Sequence, residues 1–172
     1  MKFASIVVLS ILHFGSHFLV AQCDIIWDDP SPLCGDATVI DFHSRCFMTN
    51  SESSETHEGF CGGGTILNNP QYFSFIATDT IVIVCLARGD CDIGVGLQSA
   101  IIDISDLNNC RNWMNGDVIA CDPNFHTTTQ MIAWPMTVGD MYIVVVDGTN
   151  GARCEYQLIP KGYWPRHGDS RR

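Results

Sequence analysis

The chain has 172 residues, of which 19 are acidic and 9 are basic, giving a formal net charge of −10 at pH 7. An acidic surface repels phosphate backbones and anionic lipid headgroups, which argues against nucleic acid or a membrane surface as the partner. Apolar residues make up 46% of the sequence, which is enough for the core of one domain.

Residues 1–21 are typical of a secretory signal peptide. The mostly apolar run Phe3–Val20 follows a lysine, and Ala21 is the kind of small residue that signal peptidase requires. A membrane anchor is the alternative, but the run is barely long enough to span a bilayer. Gln22 stands directly before Cys23, which argues against lipid attachment. We therefore predict that the mature chain is secreted or lies at the cell surface, without membrane insertion.

All nine cysteines follow the predicted signal peptide, and none forms a C-x-x-C pair. In an exported chain this pattern favours disulfides over zinc or redox sites. Cys110 and Cys121 bracket a polar loop, and we prefer them as one bridge, worth about 3 kcal/mol in the loop-entropy model. The remaining connectivity stays open, and the odd cysteine is free or joins two molecules. The candidates for disulfides are Cys34, Cys61, Cys91, Cys110, Cys121 and Cys154.

Residues 22–59 have an irregular pattern in which only Thr38–Phe42 resembles a strand. Too little apolar surface is present there for an independent core. We predict a lead-in that disulfides tie to the main domain.

From residue 70 onward, β-branched and aromatic runs alternate with short breaks, and no helical period of similar length competes with them. This pattern predicts an all-β fold, a two-sheet antiparallel β-sandwich of jelly-roll type stabilised by disulfides, over residues 60–160. The predicted strands are Tyr72–Ala77, Thr80–Ala87, Ile93–Ile102, Asp117–Cys121, Thr128–Trp134, Met141–Asp147 and Arg153–Ile159.

The last two strands flank a turn with the dipeptides Asp147-Gly148 and Asn150-Gly151, which predicts a β-hairpin. Residues 161–172 lack periodicity and form a predicted mobile tail. Large apolar side chains on the strands are expected to form the core: Tyr72, Phe73, Phe75, Ile83, Val95, Leu97, Ile132, Tyr142, Val144, Val146, Tyr156 and Leu158.

Three runs of the sequence resemble successive parts of one domain family, and together they span about residues 60–160. The runs are NNPQYFSFIA at 68–77, DCDIGVGLQSAII at 90–102, and VGDMYIVVVDG with CEYQL at 138–158. They resemble the pre-peptidase C-terminal (PPC) type of β-sandwich, in the cysteine-bearing form of secreted and surface proteins of Bacteroidetes-like bacteria. The resemblance implies a non-catalytic accessory module that binds collagen or polysaccharide, with Ca²⁺ bound in some related modules.

Catalytic motifs are absent from the sequence. It contains no G-x-S-x-G elbow and no H-E-x-x-H zinc motif. Asp41, His43 and Ser44 are too close along the chain to form the usual spatial triad. We therefore predict that the protein is not an enzyme.

Two kinds of binding residue are candidates. Asp90, Asp92 and Asp122 fall at predicted strand ends, where carboxylates can converge on a structural Ca²⁺, although a solvated acidic surface is the alternative. No other cofactor is expected. Trp113 and Trp134 offer flat indole faces that suit sugar rings and extended peptides, although packing within the domain is the alternative for both.

These observations predict a secreted or cell-surface binding module that recognises an extracellular polymer, either protein or polysaccharide. The alternative is a structural or assembly subunit whose copies join through the odd cysteine or a sheet edge. A small secreted hydrolase would require a deep pocket with a perturbed histidine or carboxylate.

Overall fold

The computed structural model describes residues 30–40, 45–49, 58–61, 65–104, 110 and 117–162. The predicted signal peptide and residues 163–172 of the predicted tail lie outside these ranges. The described residues also include the 3-10 turns Cys34–Asp36 and Thr149–Gly151. The strands are β1 Thr38–Val39, β2 Arg45–Met48, β3 Glu58–Phe60, β4 Thr65–Ile66, β5 Gln71–Ile76, β6 Val82–Ile93, β7 Leu97–Asp103, β8 Val118–Phe125, β9 Thr128–Ala133, β10 Met141–Gly148 and β11 Arg153–Gly162.

Two sheets face each other, which confirms the predicted disulfide-stabilised β-sandwich. The larger has the order β1-β5-β10-β7-β8 and the smaller the order β2-β11-β6-β9, while β3 and β4 form a short ribbon. Neighbouring strands are antiparallel except for the short β1–β5 pair. The predicted lead-in at 22–59 contributes β1 to one sheet and β2 to the other.

The space between the sheets is filled by alternate side chains of the strands, as the period of two in a strand requires. Phe47 of β2 packs with its ring centroid 4.8 Å from that of Phe73 and 5.7 Å from that of Tyr156. Phe75 stacks on Tyr142 at 5.9 Å. The contacts of the Phe47 ring connect β2 to β5 of the larger sheet and to β11 of the smaller sheet. Nine of the twelve predicted core residues are buried.

A second apolar layer covers the outer side of the larger sheet. Tyr72, Ile143 and Val145 point away from the first core and pack with Leu67 and Cys34. The larger sheet is thus buried on both sides, which explains why residues 143–146 read as an unbroken apolar run instead of alternating.

The disulfides are Cys34–Cys110, Cys61–Cys121 and Cys91–Cys154. The predicted Cys110–Cys121 bridge is wrong, because each of these cysteines pairs with one from the N-terminal part of the chain. Cys34–Cys110 lies within the covering layer, Cys61–Cys121 joins this layer to β8 of the larger sheet, and Cys91–Cys154 joins β6 to β11 in the smaller sheet. Their sequence separations of 76, 60 and 63 are each worth about 4 kcal/mol in the loop-entropy model. All six candidate cysteines form bridges, and Cys85 is a free thiol.

The predicted hairpin of the last two strands is also wrong. β10 pairs with β5 and β7, whereas β11 pairs with β2 and β6, so the connection crosses between the sheets. Asn150 and Gly151 do adopt the positive φ that their turn signal predicts. The chain turns so sharply that a Cβ on Gly148 would lie 1.7 Å from the Ala152 carbonyl oxygen.

Three of the predicted core residues lie elsewhere. Ile83 of β6 is half-buried and Ile132 of β9 is 56% exposed, because their neighbours along each strand occupy the inward positions. Val95 is 69% exposed because it lies on the loop between β6 and β7. Among the residues that the structure describes, no helix is long and apolar enough to cross a membrane.

Candidate binding surface

Among the described carboxylates, Asp147 has the largest shift in pKa, and the residue is fully buried. Its Oδ1 accepts hydrogen bonds from the backbone N–H groups of Asn68 at 2.9 Å and Asn69 at 2.6 Å, and its Oδ2 accepts one from the Gln98 amide. Burial raises the pKa of Asp147 to about 6, although these hydrogen bonds oppose the rise. The carboxylate is enclosed by its own chain, so its perturbed pKa reflects a structural role.

The calcium candidates are not assembled into one site. Asp92 forms an ion pair with Arg153 at 3.5 Å. Asp122 accepts hydrogen bonds from the Thr129 hydroxyl and from the Asn124 N–H, while Asp90 is exposed. Within the described ranges, no three His, Cys, Asp or Glu side chains come together in a group that could hold a metal.

The two candidate tryptophans differ in what the structure says of them. Trp113 lies outside the described residues. Trp134 directly follows β9, precedes Pro135 through a cis peptide bond, and is 65% exposed. Trp134 is therefore not packed in the core, and its indole is accessible to a partner.

Trp134 belongs to one end of the sandwich, where the segments 77–81 and 134–140 meet. Backbone N–H groups join them from Ala77 to the Asp140 oxygen at 2.9 Å, from Gly139 to the Ala77 oxygen at 2.8 Å, and from Met136 to the Thr80 oxygen at 3.0 Å. We call this surface, which also includes the exposed side chains of Ile76 and Val138, the Trp134 end. These hydrogen bonds fix the backbone of the two segments, and the exposed side chains of Ile76, Trp134 and Val138 lie on or next to them.

Carboxylates lie at the same end of the sandwich. The pKa of Asp103, the last residue of β7, is raised first by partial burial and then by the nearby negative charges of Asp140 and Asp117. The Trp134 end therefore combines an indole and aliphatic side chains with a concentration of negative charge. This mixture can stack on a ring, accept hydrogen bonds from hydroxyl groups, or attract cationic side chains.

The opposite end of the sandwich carries a second exposed apolar feature, the loop between β6 and β7. The Val95 carbonyl oxygen accepts a hydrogen bond from the Arg88 guanidinium at 3.2 Å and lies 3.0 Å from His126 Nδ1. The adjacent Gly96 oxygen accepts one from the Thr149 N–H at 3.0 Å. The loop is held in one shape while Val95 faces solvent. Its two flanking glycines were the sequence signal that Val95 lies outside a strand.

Comparison with known proteins does not identify a family for this chain. No family model matches the chain, and no curated protein matches it. A periplasmic inhibitor of g-type lysozyme from Aeromonas hydrophila, PliG, is similar at 9% identity with a TM-score of 0.38, over 72% of this chain and 95% of that one. A GH26-CBM35 β-(1,4)-mannanase from Podospora anserina is similar at 15% identity with a TM-score of 0.30, over 71% of this chain and 29% of that one. Similarity at this level carries no functional information about this chain.

Proposed function

We propose that this protein is a non-catalytic, exported binding module that recognises an extracellular polymer, either a protein or a polysaccharide, through the Trp134 end. The observation that carries the proposal is the exposed Trp134 indole on a backbone held by three cross-loop hydrogen bonds. The Trp134 indole, Ile76 and Val138 are each exposed at this end of the sandwich, and exposed apolar side chains of this kind can mark an interaction site.

The rigidity of the Trp134 end supports this role. Binding costs conformational entropy when loops and side chains must be ordered, and a surface that is already ordered avoids much of that cost. The Thr137 N–H adds a hydrogen bond of 2.8 Å to the Tyr142 hydroxyl, which links the loop to a buried ring. The Trp134 end is thus anchored to the core beneath it.

Three carboxylates at the Trp134 end indicate which chemical groups a partner would present there. Asp103, Asp117 and Asp140 can accept hydrogen bonds from sugar hydroxyls or pair with lysine and arginine side chains of a protein. The disulfides support an oxidising compartment such as the cell exterior, where such polymers occur. The resemblance to PPC domains points to the same class of partner and to a non-catalytic role.

Co-sedimentation with insoluble collagen and with a panel of insoluble polysaccharides tests the proposal. We expect the wild-type chain to sediment with one of them and Trp134→Ala to lose at least tenfold in affinity. Ile93→Ala is the matched control, because it removes an exposed apolar side chain at the opposite end. Trp113→Ala tests the other candidate tryptophan. Equal binding by Trp134→Ala and the wild type would contradict the proposal.

A further inference from the structure

The chain leaves its last strand, β11, at the Trp134 end. Gly162, the final residue of β11, pairs with Val82 of β6. Val82 pairs in turn with Ala133, which directly precedes Trp134. Neighbouring strands lie about 4.8 Å apart, so the backbones of Gly162 and Ala133 are separated by about 10 Å. Because β11 is antiparallel to β6, the residues that follow Gly162 continue beyond the start of β6, at the Trp134 end.

The sequence that follows β11 is basic and begins with two aromatic residues. Residues 163–172 read YWPRHGDSRR, and we call them the basic tail. Three of the nine basic side chains of the protein, Arg166, Arg171 and Arg172, lie in these ten residues together with one acidic side chain, Asp169. The basic tail is therefore positively charged, whereas the whole chain has a formal net charge of −10.

Carboxylates at the Trp134 end supply the opposite charge. Asp103 and Asp140 are exposed, and Asp79 is half-buried in the loop before β6. Partial burial, and then the negative charges of Asp140 and Asp117, raise the pKa of Asp103, so these carboxylates are close enough to repel one another. A guanidinium group placed among them would offset this repulsion and donate charge-assisted hydrogen bonds.

Two described arginines are engaged at the opposite end of the sandwich. The Arg88 guanidinium donates a hydrogen bond to the Val95 carbonyl oxygen at 3.2 Å, and Arg153 forms an ion pair with Asp92 at 3.5 Å. They therefore do not offset the carboxylates of the Trp134 end. The exposed Lys161 brings one positive charge to the point where the chain leaves β11, and the arginines of the basic tail come next along the chain.

The aromatic residues of the basic tail also have a counterpart at this end. Tyr163 and Trp164 follow Gly162 directly. The side chains of Ile76, Trp134 and Val138 are exposed by 52%, 65% and 57%. Covering these side chains with aromatic rings would remove apolar surface from water, which is favourable. The basic tail thus carries both kinds of group, aromatic and cationic, that the Trp134 end can contact.

We propose that the basic tail docks reversibly on the Trp134 end of its own chain, with its two aromatic side chains against the exposed apolar ones and its arginines against the carboxylates. Ten residues can span up to about 33 Å, and the facing sheets lie about 10 Å apart, so the tail can reach both. Single exposed ion pairs are weak, but a short tether gives an effective concentration in the millimolar range. A weak contact is then substantially occupied.

Docking of the basic tail has a consequence for ligand binding that rests on the proposed function. A docked tail covers Trp134 and competes with an extracellular polymer for the same surface. We expect the triple variant Arg166→Gln, Arg171→Gln and Arg172→Gln to sediment with the polymer at least threefold more tightly than the wild type. Unchanged or weaker binding by this variant would overturn the competition.

Nuclear magnetic resonance of the chain from residue 22 onward tests the docking itself, without any polymer. We expect the same triple variant to shift the Trp134 indole N–H and the Val138 amide, and to leave the Val95 amide unchanged. Asp169→Asn is the matched control, because it changes one charge in the basic tail and keeps its arginines. The shifts should be independent of protein concentration over a tenfold range. Unmoved Trp134 and Val138 signals, or shifts that grow with concentration, would overturn the proposal.

Trypsin cleavage after Arg166 tests the docking from the side of the carboxylates. We expect the double variant Asp103→Asn and Asp140→Asn to be cleaved there at least threefold faster than the wild type, because its tail is released. Asp90→Asn is the control, since Asp90 is also exposed but lies toward the opposite end. Circular dichroism confirms that the variants are folded. Equal cleavage rates of all three proteins would overturn the proposal.

The two proposals fail separately. A tail that docks in a protein that sediments with no polymer would refute the polymer binding alone. Sedimentation with a polymer, together with Trp134 signals that do not respond to the tail arginines, would refute the docking alone.

Discussion

The Asp147 side chain binds the backbone of Asn69, and the Asn69 side chain binds the backbone of Gly148, the residue after Asp147. The Asn69 N–H donates to the Asp147 carboxylate at 2.6 Å, while the Asn69 side-chain oxygen accepts a hydrogen bond from the Gly148 N–H at 2.9 Å. The Asn69 amide also donates to the Ala152 oxygen at 2.9 Å. This reciprocal pair fixes the point at which the chain leaves the larger sheet and crosses to the smaller one.

Replacing Asp147 with alanine should destabilise the fold by about 3 kcal/mol, because the buried N–H of Asn69 and the part-buried N–H of Asn68 would lose their acceptor. Urea unfolding measures the change in the free energy of unfolding. Asp90→Ala is the control, because this exposed carboxylate should change stability by less than about 0.5 kcal/mol. Equal stability of the two variants would show that the buried network is not needed.

The stability should depend on pH through Asp147. Its pKa is raised from 3.8 to about 6, so the folded state holds the proton more tightly than the unfolded state. This contribution is fully present below pH 3.8 and is lost as the pH rises through about 6, up to about 3 kcal/mol. Asp147→Asn cannot ionise. The wild type should therefore lose stability relative to Asp147→Asn between pH 4 and 7, and parallel urea-unfolding curves over that window would contradict the assignment.

Phe47 tests whether β2 is part of the sandwich. Its ring is buried between Phe73 and Tyr156, so Phe47→Ala should cost about 3–5 kcal/mol through lost burial and the cavity that remains. Thermal unfolding measures the loss, with Ile132→Ala as an exposed control expected to cost less than about 1 kcal/mol. A near-neutral Phe47→Ala would mean that β2 contributes little to the core.

The Cys34–Cys110 bridge should stabilise the layer that covers the larger sheet. Replacing both cysteines with serine removes a crosslink between residues 76 positions apart and should lower the free energy of unfolding by about 2–5 kcal/mol. Hydrogen exchange should show the loss first at the buried segment around Leu67. Peptide mass spectrometry after thiol blocking checks the pairing. A Cys110–Cys121 peptide would contradict the structure.

The sequence was a good guide to the strands and a poor guide to how they join. Runs such as those of β5 and β10 carry local β-propensity, and their ends are marked by glycine, proline and asparagine. The turn after β10 also gave a correct local signal, the positive φ at Asn150 and Gly151. Whether such a turn closes a hairpin or crosses between sheets depends on the faces that the flanking strands bury, which is a non-local property.

The errors in the predicted core and disulfides have the same origin. Cys110 and Cys121 are near each other in sequence, but each pairs across a separation of 60 or more residues. Ile132 is apolar, as a core residue usually is, but its side chain lies on the outward side of β9. The sequence left binding and packing open for Trp134, and its exposure favours binding, but the contact between the segments 77–81 and 134–140 that holds its backbone is non-local and could not be predicted.

The most direct test of the central claim is to map binding residue by residue with nuclear magnetic resonance. The indole N–H resonance of Trp134, assigned with Trp134→Phe, and the amides of Ile76 and Val138 are followed during titration with a soluble fragment of the polymer that sediments with the protein. We predict that shifts concentrate at these three residues while Val95 at the opposite end stays unchanged. Shifts confined to the Val95 loop, with an unmoved Trp134 indole, would contradict the account.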